Sequence, residues 1–109
     1  MTLRQDQGVA NQARGEASIT LKNAALMLRP TFAALVAAEE ELGPLFALVE
    51  RAADGKLKLS EMVALFWHCR RDAPPDLTRN AFGEALAEAG LAAATPALKI
   101  LLGQILGGR

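Results

Sequence analysis

The chain has 109 residues, of which 51% are apolar but only 5% aromatic, and its twelve basic and twelve acidic residues cancel to a net charge of zero. That length suits one domain with a core of its own, and the cancelled charge, with no long run of either sign, lacks the electrostatic footprint of a duplex-binding protein. The single Cys69 excludes an internal disulfide and a cysteine-rich zinc site and suits a reducing cytoplasm.

Residues 1–14 hold three glutamines and show no apolar period, which predicts a disordered arm. The segment from Met1 to Gly15 also lacks the apolar core of a signal peptide. From Gly15 the pattern changes. Ala17, Ile19 and Leu21 alternate with Ser18, Thr20 and Lys22, the period of a half-buried strand. A turn at Asn23-Ala24 and a returning strand make a hairpin over 16–29, stopped by Pro30, which cannot donate to a ladder.

Thr31 then caps a helix over 31–42 that Gly43 ends, with Phe32, Leu35, Val36 and Leu42 on one side. A lone hairpin is marginal in water, and this helix is its nearest cover. Glu39 falls within or beside the apolar stripe. It is either a carboxylate held for a partner or a boundary residue whose charge reaches water or an arginine such as Arg29.

Pro44 starts a helix over 44–53, with Leu45, Leu48 and Val49 on one face and Phe46 flanking it. Asp54-Gly55, Leu57 and Glu61 match the later places of a calcium-binding EF-hand loop. Glu50 is an atypical first ligand, however, and Ala52 supplies nothing at the third place, so a plain turn is the better reading. Ser60 opens a helix over 60–71 that is apolar on most of its circumference and belongs in the middle of a bundle. Trp67 and His68 on that helix read as structural. Cys69 beside His68 is no thiolate pair, because adjacent helical residues point about 100° apart.

The prolines in Ala73-Pro74-Pro75-Asp76 break the chain before a helix over 78–89 that opens near Thr78, presents Phe82, Ala85, Leu86 and Ala89, and stops at Gly90. From Leu91 to Gly108 the only charge is Lys99. Thr95-Pro96 starts a last helix over 95–106, with Leu98, Leu101, Leu102, Ile105 and Leu106 along one side. It falls short of the roughly 20 apolar residues of a membrane span. The expected architecture is α+β and mainly α: one compact domain over 15–109, with an N-terminal β-hairpin followed by a bundle of about five short helices. No nucleophile, metal cluster or phosphate loop is legible, so the residues alone point to a binding or structural domain without enzymatic chemistry, cofactor or metal.

Several stretches together resemble a known family. Arg14-Gly15-Glu16 enters an alternating strand, and the junction from Leu28 through Leu35 leads on to Glu39 and Leu42-Gly43. Further on come Gly55 to Glu61 and the helix from Leu77-Thr78 to Ala89-Gly90-Leu91. In these patterns, over about residues 12 to 106, the chain is similar to the phage tail assembly chaperones of gene transfer agents and related siphophage-like elements. The resemblance implies a non-enzymatic protein that coats the helical tape-measure protein, helps recruit tail tube subunits and does not enter the finished particle. It implies a bacterial cytoplasmic location and names no catalytic residues.

A tape-measure protein exposes long apolar helical stripes until the tube encloses it, and a small helical domain with spare apolar surface suits the task of covering them. On that reading the partner-binding face is Leu98, Leu101, Leu102, Ile105 and Leu106, which could equally be core or close a homo-oligomer. Two other classes stay open. One is a structural tail component, tube-associated or a completion protein; the other is a small helical DNA-binding regulator resting on Arg70, Arg71 and Arg79.

Overall fold

The computed structural model describes residues 16–21, 24–71 and 73–107; the arm expected over 1–14 and Asn23 of the expected turn lie outside them. Two strands, β1 (Ala17–Leu21) and β2 (Ala24–Leu28), form the expected antiparallel hairpin, with Ile19 opposite Leu26 and Leu21 opposite Ala24. Alternation decides its two faces. Ala17, Ile19 and Leu21 are buried with Leu26 and Leu28, while Ser18, Thr20 and Ala25 face outward. A third strand, β3 (Arg70–Arg71), pairs with β2 and completes a sheet of order β1-β2-β3. The sequence reading had made these two arginines the end of a helix. The backbone N–H of Arg29 donates to the Cys69 carbonyl at 2.7 Å and begins the extra ladder there.

Five helices follow the hairpin, giving the expected mainly α, α+β architecture. In α1 (Phe32–Leu42) the Thr31 hydroxyl accepts from the Ala34 N–H at 3.1 Å, and Gly43 ends the helix with φ of 88°. Helix α2 (Leu45–Ala53) ends in paired backbone bonds, Gly55 N–H to Ala52 and Lys56 N–H to Arg51, with Gly55 at φ of 71°. Helix α3 (Leu59–Cys69) runs through the centre as expected, burying Met62, Ala64, Leu65, Phe66 and Cys69. Ser60 is not its cap. The Glu61 carboxylate accepts from the Lys58 N–H at 2.9 Å and satisfies that end. Helix α4 (Arg79–Ala89) is capped by Thr78, whose hydroxyl accepts from the Ala81 N–H at 3.0 Å; it buries Phe82, Ala85 and Leu86, with Ala89 left exposed.

Helix α5 departs most from expectation. It spans Leu91–Gly107, so Pro96 lies inside it rather than at its start. The run Ala92-Ala93-Ala94 carries the helix back across the proline, because alanine costs nothing in helix propensity and offers little bulk to the ring. The Thr95 hydroxyl donates back to the Leu91 carbonyl at 3.2 Å, as threonines within helices do. Gly90, at φ of 93°, turns the chain by 113° between α4 and α5. Among the described residues no single helix is long and apolar enough to cross a membrane.

Two packing expectations are corrected. The hairpin is covered chiefly by α5 and α4, whereas α1 packs on α3 and α2. Helix α1 also turns a different face inward: Ala34 and Ala38 are buried, Leu35 and Leu42 are partly so, and Phe32 is 84% exposed with Val36 beside it at 38%. The alanines let α1 lie close to α3, and the larger side chains at positions 32 and 36 fall on the opposite side, about 160° away.

Candidate interaction surface

The large side chains left in water are the candidates for contact with a partner. Phe32 and Val36 stand one turn apart on the outer side of α1, and Phe46 on the first turn of α2 is 76% exposed. A phenylalanine fully withdrawn from water contributes about 1.5–3 kcal/mol, a gain that neither exposed ring realises. The signal for these residues was present but misassigned. An amphipathic reading places large apolar groups inward by default, and α1 is apolar on both sides.

Of the face expected on α5, Leu101 is fully buried and Leu98, Leu102 and Ile105 are partly buried against the core; Leu106 is 57% exposed. The side of Leu101 therefore closes the core over the sheet. Only the C-terminal turn of that face reaches water freely.

Polar groups hold the elements that carry these side chains. Glu41 on α1 hydrogen-bonds His68 on α3 at 2.8 Å and receives the Arg79 guanidinium from the first turn of α4 on both carboxylate oxygens. The Arg79 hydrogen bonds, then that of His68, hold the Glu41 carboxyl down at about 2. Glu39 is exposed, so its charge reaches water, one of the two outcomes the boundary reading allowed. It accepts from the Leu45 N–H at 3.1 Å, so it serves the N-terminus of α2, which has no side-chain cap of its own from Pro44. Arg29 lies instead 3.6 Å from Glu16.

Glu61, the twelfth place of the EF-hand comparison, is bound by the Lys58 N–H and by Arg51 at 2.5 Å, which keep its carboxyl below the usual range. Among the described residues no group of three or more His, Cys, Asp or Glu is placed to hold a metal ion. Burial pushes the Cys69 thiol up to about 12, which leaves it without thiolate character. Trp67 is partly buried with its ring centroid 5.9 Å from that of Phe82, and the Arg70 guanidinium stacks on it at 3.5 Å. Of the three arginines that a DNA-binding reading would use, Arg70 and Arg79 are thus engaged within the chain. Among the described residues the surface includes two hollows. One of about 610 Å³ lies between α3 and α4 and is lined by Leu59, Val63, Gly83 and Ala87; the other, of about 280 Å³, lies where Leu21 and Leu26 meet Pro74 and Leu77.

The described residues form a small α+β domain with aromatic side chains left in water. A family model described as "Phage tail tube protein, GTA-gp10" matches residues 14–108, and the chain belongs to that family. It is thus a phage tail-related protein of the gene transfer agent type. No curated protein and no solved structure matches it.

Proposed function

We propose that this chain is a tail assembly chaperone. It binds the tape-measure protein in the bacterial cytoplasm, helps tail tube subunits gather on it, and is left behind when the particle is finished. It catalyses no reaction. The observation that carries the reading is the exposure of Phe32 and Phe46 on a neutral domain whose family is tail-related. Apolar side chains presented on short, cross-linked helices suit shallow, reversible cover of an apolar helical stripe, and uncancelled charge does not oppose the approach. Leu106 extends the apolar contact onto the end of α5, while Leu98, Leu102 and Ile105 contribute their accessible edges.

The test is co-expression with helical fragments of a tape-measure protein from the same genome, followed by co-purification. The unmodified chain brings the fragments into a soluble complex. Phe32→Asp with Phe46→Asp loses that complex while circular dichroism stays unchanged; a complex that survives both changes would show that these rings are not the contact.

The family's description supports a second reading, in which the chain is a structural tail component associated with the tube. That role calls for the protein in purified particles at a fixed ratio to the other tail proteins.

A further inference from the structure

Strand β1 is an edge strand. Among the described residues it pairs with β2 on one side and with nothing on the other. Its open side can be read from the ladder. The Arg29 N–H points to Cys69, the residue just before β3, so alternation turns the backbone of Leu28 and Leu26 the other way, toward β1. Their partners Ala17 and Ile19 point back toward β2. The N–H and C=O groups of Ser18 and Thr20 therefore face outward from the sheet.

Natural edge strands are guarded by lysine, proline, bulges or extreme shortness, and Ala17 to Leu21 carries no charge, no proline and no bulge across its five residues. We propose that this edge is the docking site for the same edge of a second copy of the chain, in antiparallel register centred on Ile19. That register sets Ser18 opposite Thr20 of the second copy and the reverse, so the outward-facing backbone groups meet as hydrogen-bonded pairs. Ile19 meets its own counterpart at the non-hydrogen-bonded position, where side chains come closest, and Ala17 meets Leu21. Apolar residues thus lie beside apolar residues on the covered face, and hydroxyls beside hydroxyls on the open one. A single residue of slip would break both matches.

The helix layer agrees. Helix α5 packs chiefly on β1 and α4, so it lies on the β1 end of the sheet. Two-fold pairing of β1 sets the two copies of α5 side by side, and each carries a single charge, Lys99. The partly buried Leu98, Leu102 and Ile105 and the exposed Leu106 then lose water together. A net charge of zero leaves no long-range repulsion between copies. The contact is isologous and closes on itself as a dimer. It draws on Leu98, Leu102, Ile105 and Leu106, which the tail reading also uses, but that reading is carried by Phe32 and Phe46 and tested on them, so the two fail separately.

The experiment is sedimentation equilibrium of the full chain over a wide concentration range, with amide exchange read at Ser18 and Thr20. The unmodified chain sediments as a dimer, and these two amides become protected as the concentration rises. Thr20→Pro removes an outward N–H that no strand among the described residues uses, and it weakens the dimer about 10-fold or more with circular dichroism unchanged. Ser18→Lys with Thr20→Lys gives a monomer, as does Ser18→Glu with Thr20→Glu, and mixing the two restores a dimer through opposite charges. The proposal is overturned if the unmodified chain stays monomeric throughout, or if a dimer forms with Ser18 and Thr20 still exchanging freely. It is equally overturned if the two charged variants remain monomers when mixed.

Discussion

Glu41 shows how much of the bundle's order rests on single polar side chains. One carboxylate on α1 meets His68 of α3 and Arg79 of α4, three elements far apart in sequence. Its carboxyl titrates at about 2 in the folded chain, below its ordinary value of 4.5. A carboxyl lowered in this way adds stability that is fully present above pH 4.5 and is lost as pH falls toward 2. The cluster is well exposed, so solvent screening limits its worth to about 1 kcal/mol or less. Glu41→Gln should therefore lower stability modestly above about pH 4.5, with the difference from the unmodified chain closing below that. Urea unfolding across pH measures it. Thr31 and Thr78 act at the same scale: replacing either by alanine leaves a helix amide without its acceptor and should cost about 1 kcal/mol, read by thermal unfolding.

Helices α1 and α5 show what the sequence made legible and what it hid. The caps at Thr31 and Thr78, the stops at Gly43 and Gly90, the hairpin's alternation and the central position of α3 all follow from local chemistry, because each depends on neighbours within a turn or a strand. Which side of α1 faces inward does not. That choice depends on how closely α3 approaches, and the small Ala34 and Ala38 won over Phe32 and Val36. Strand β3 was equally hidden, since two arginines form it only because β2 lies alongside. Pro96 read as a helix start by its type alone, while the alanines before it extend α5 to Leu91. The candidate site divides the same way. The apolar face of α5 was visible as a pattern, but the pattern could not tell Leu101 in the core from Leu106 in water.

Two predictions belong to the elements. Leu101→Ala should cost about 2–5 kcal/mol by denaturant unfolding, as expected for a buried leucine, whereas Phe32→Ala should stay within about 0.5 kcal/mol because its ring already stands in water. Pro96→Ala should stabilise α5 by about 1–3 kcal/mol, because the interior proline gives up a backbone hydrogen bond that alanine restores.

At the scale of the whole molecule, a neutral, mostly helical domain of a tail-related family keeps a packed core over its sheet and leaves aromatic rings exposed on the first two helices. The core accounts for the fold. The exposed rings add little to that core among the described residues, and on the proposed reading they meet a partner during assembly and are then released. Quantitative mass spectrometry of producing cells and of particles purified from them tests this directly. The account predicts the protein in the cell extract alongside the tape-measure protein, and its absence from particles that retain the tube; a fixed copy number in those particles would contradict it.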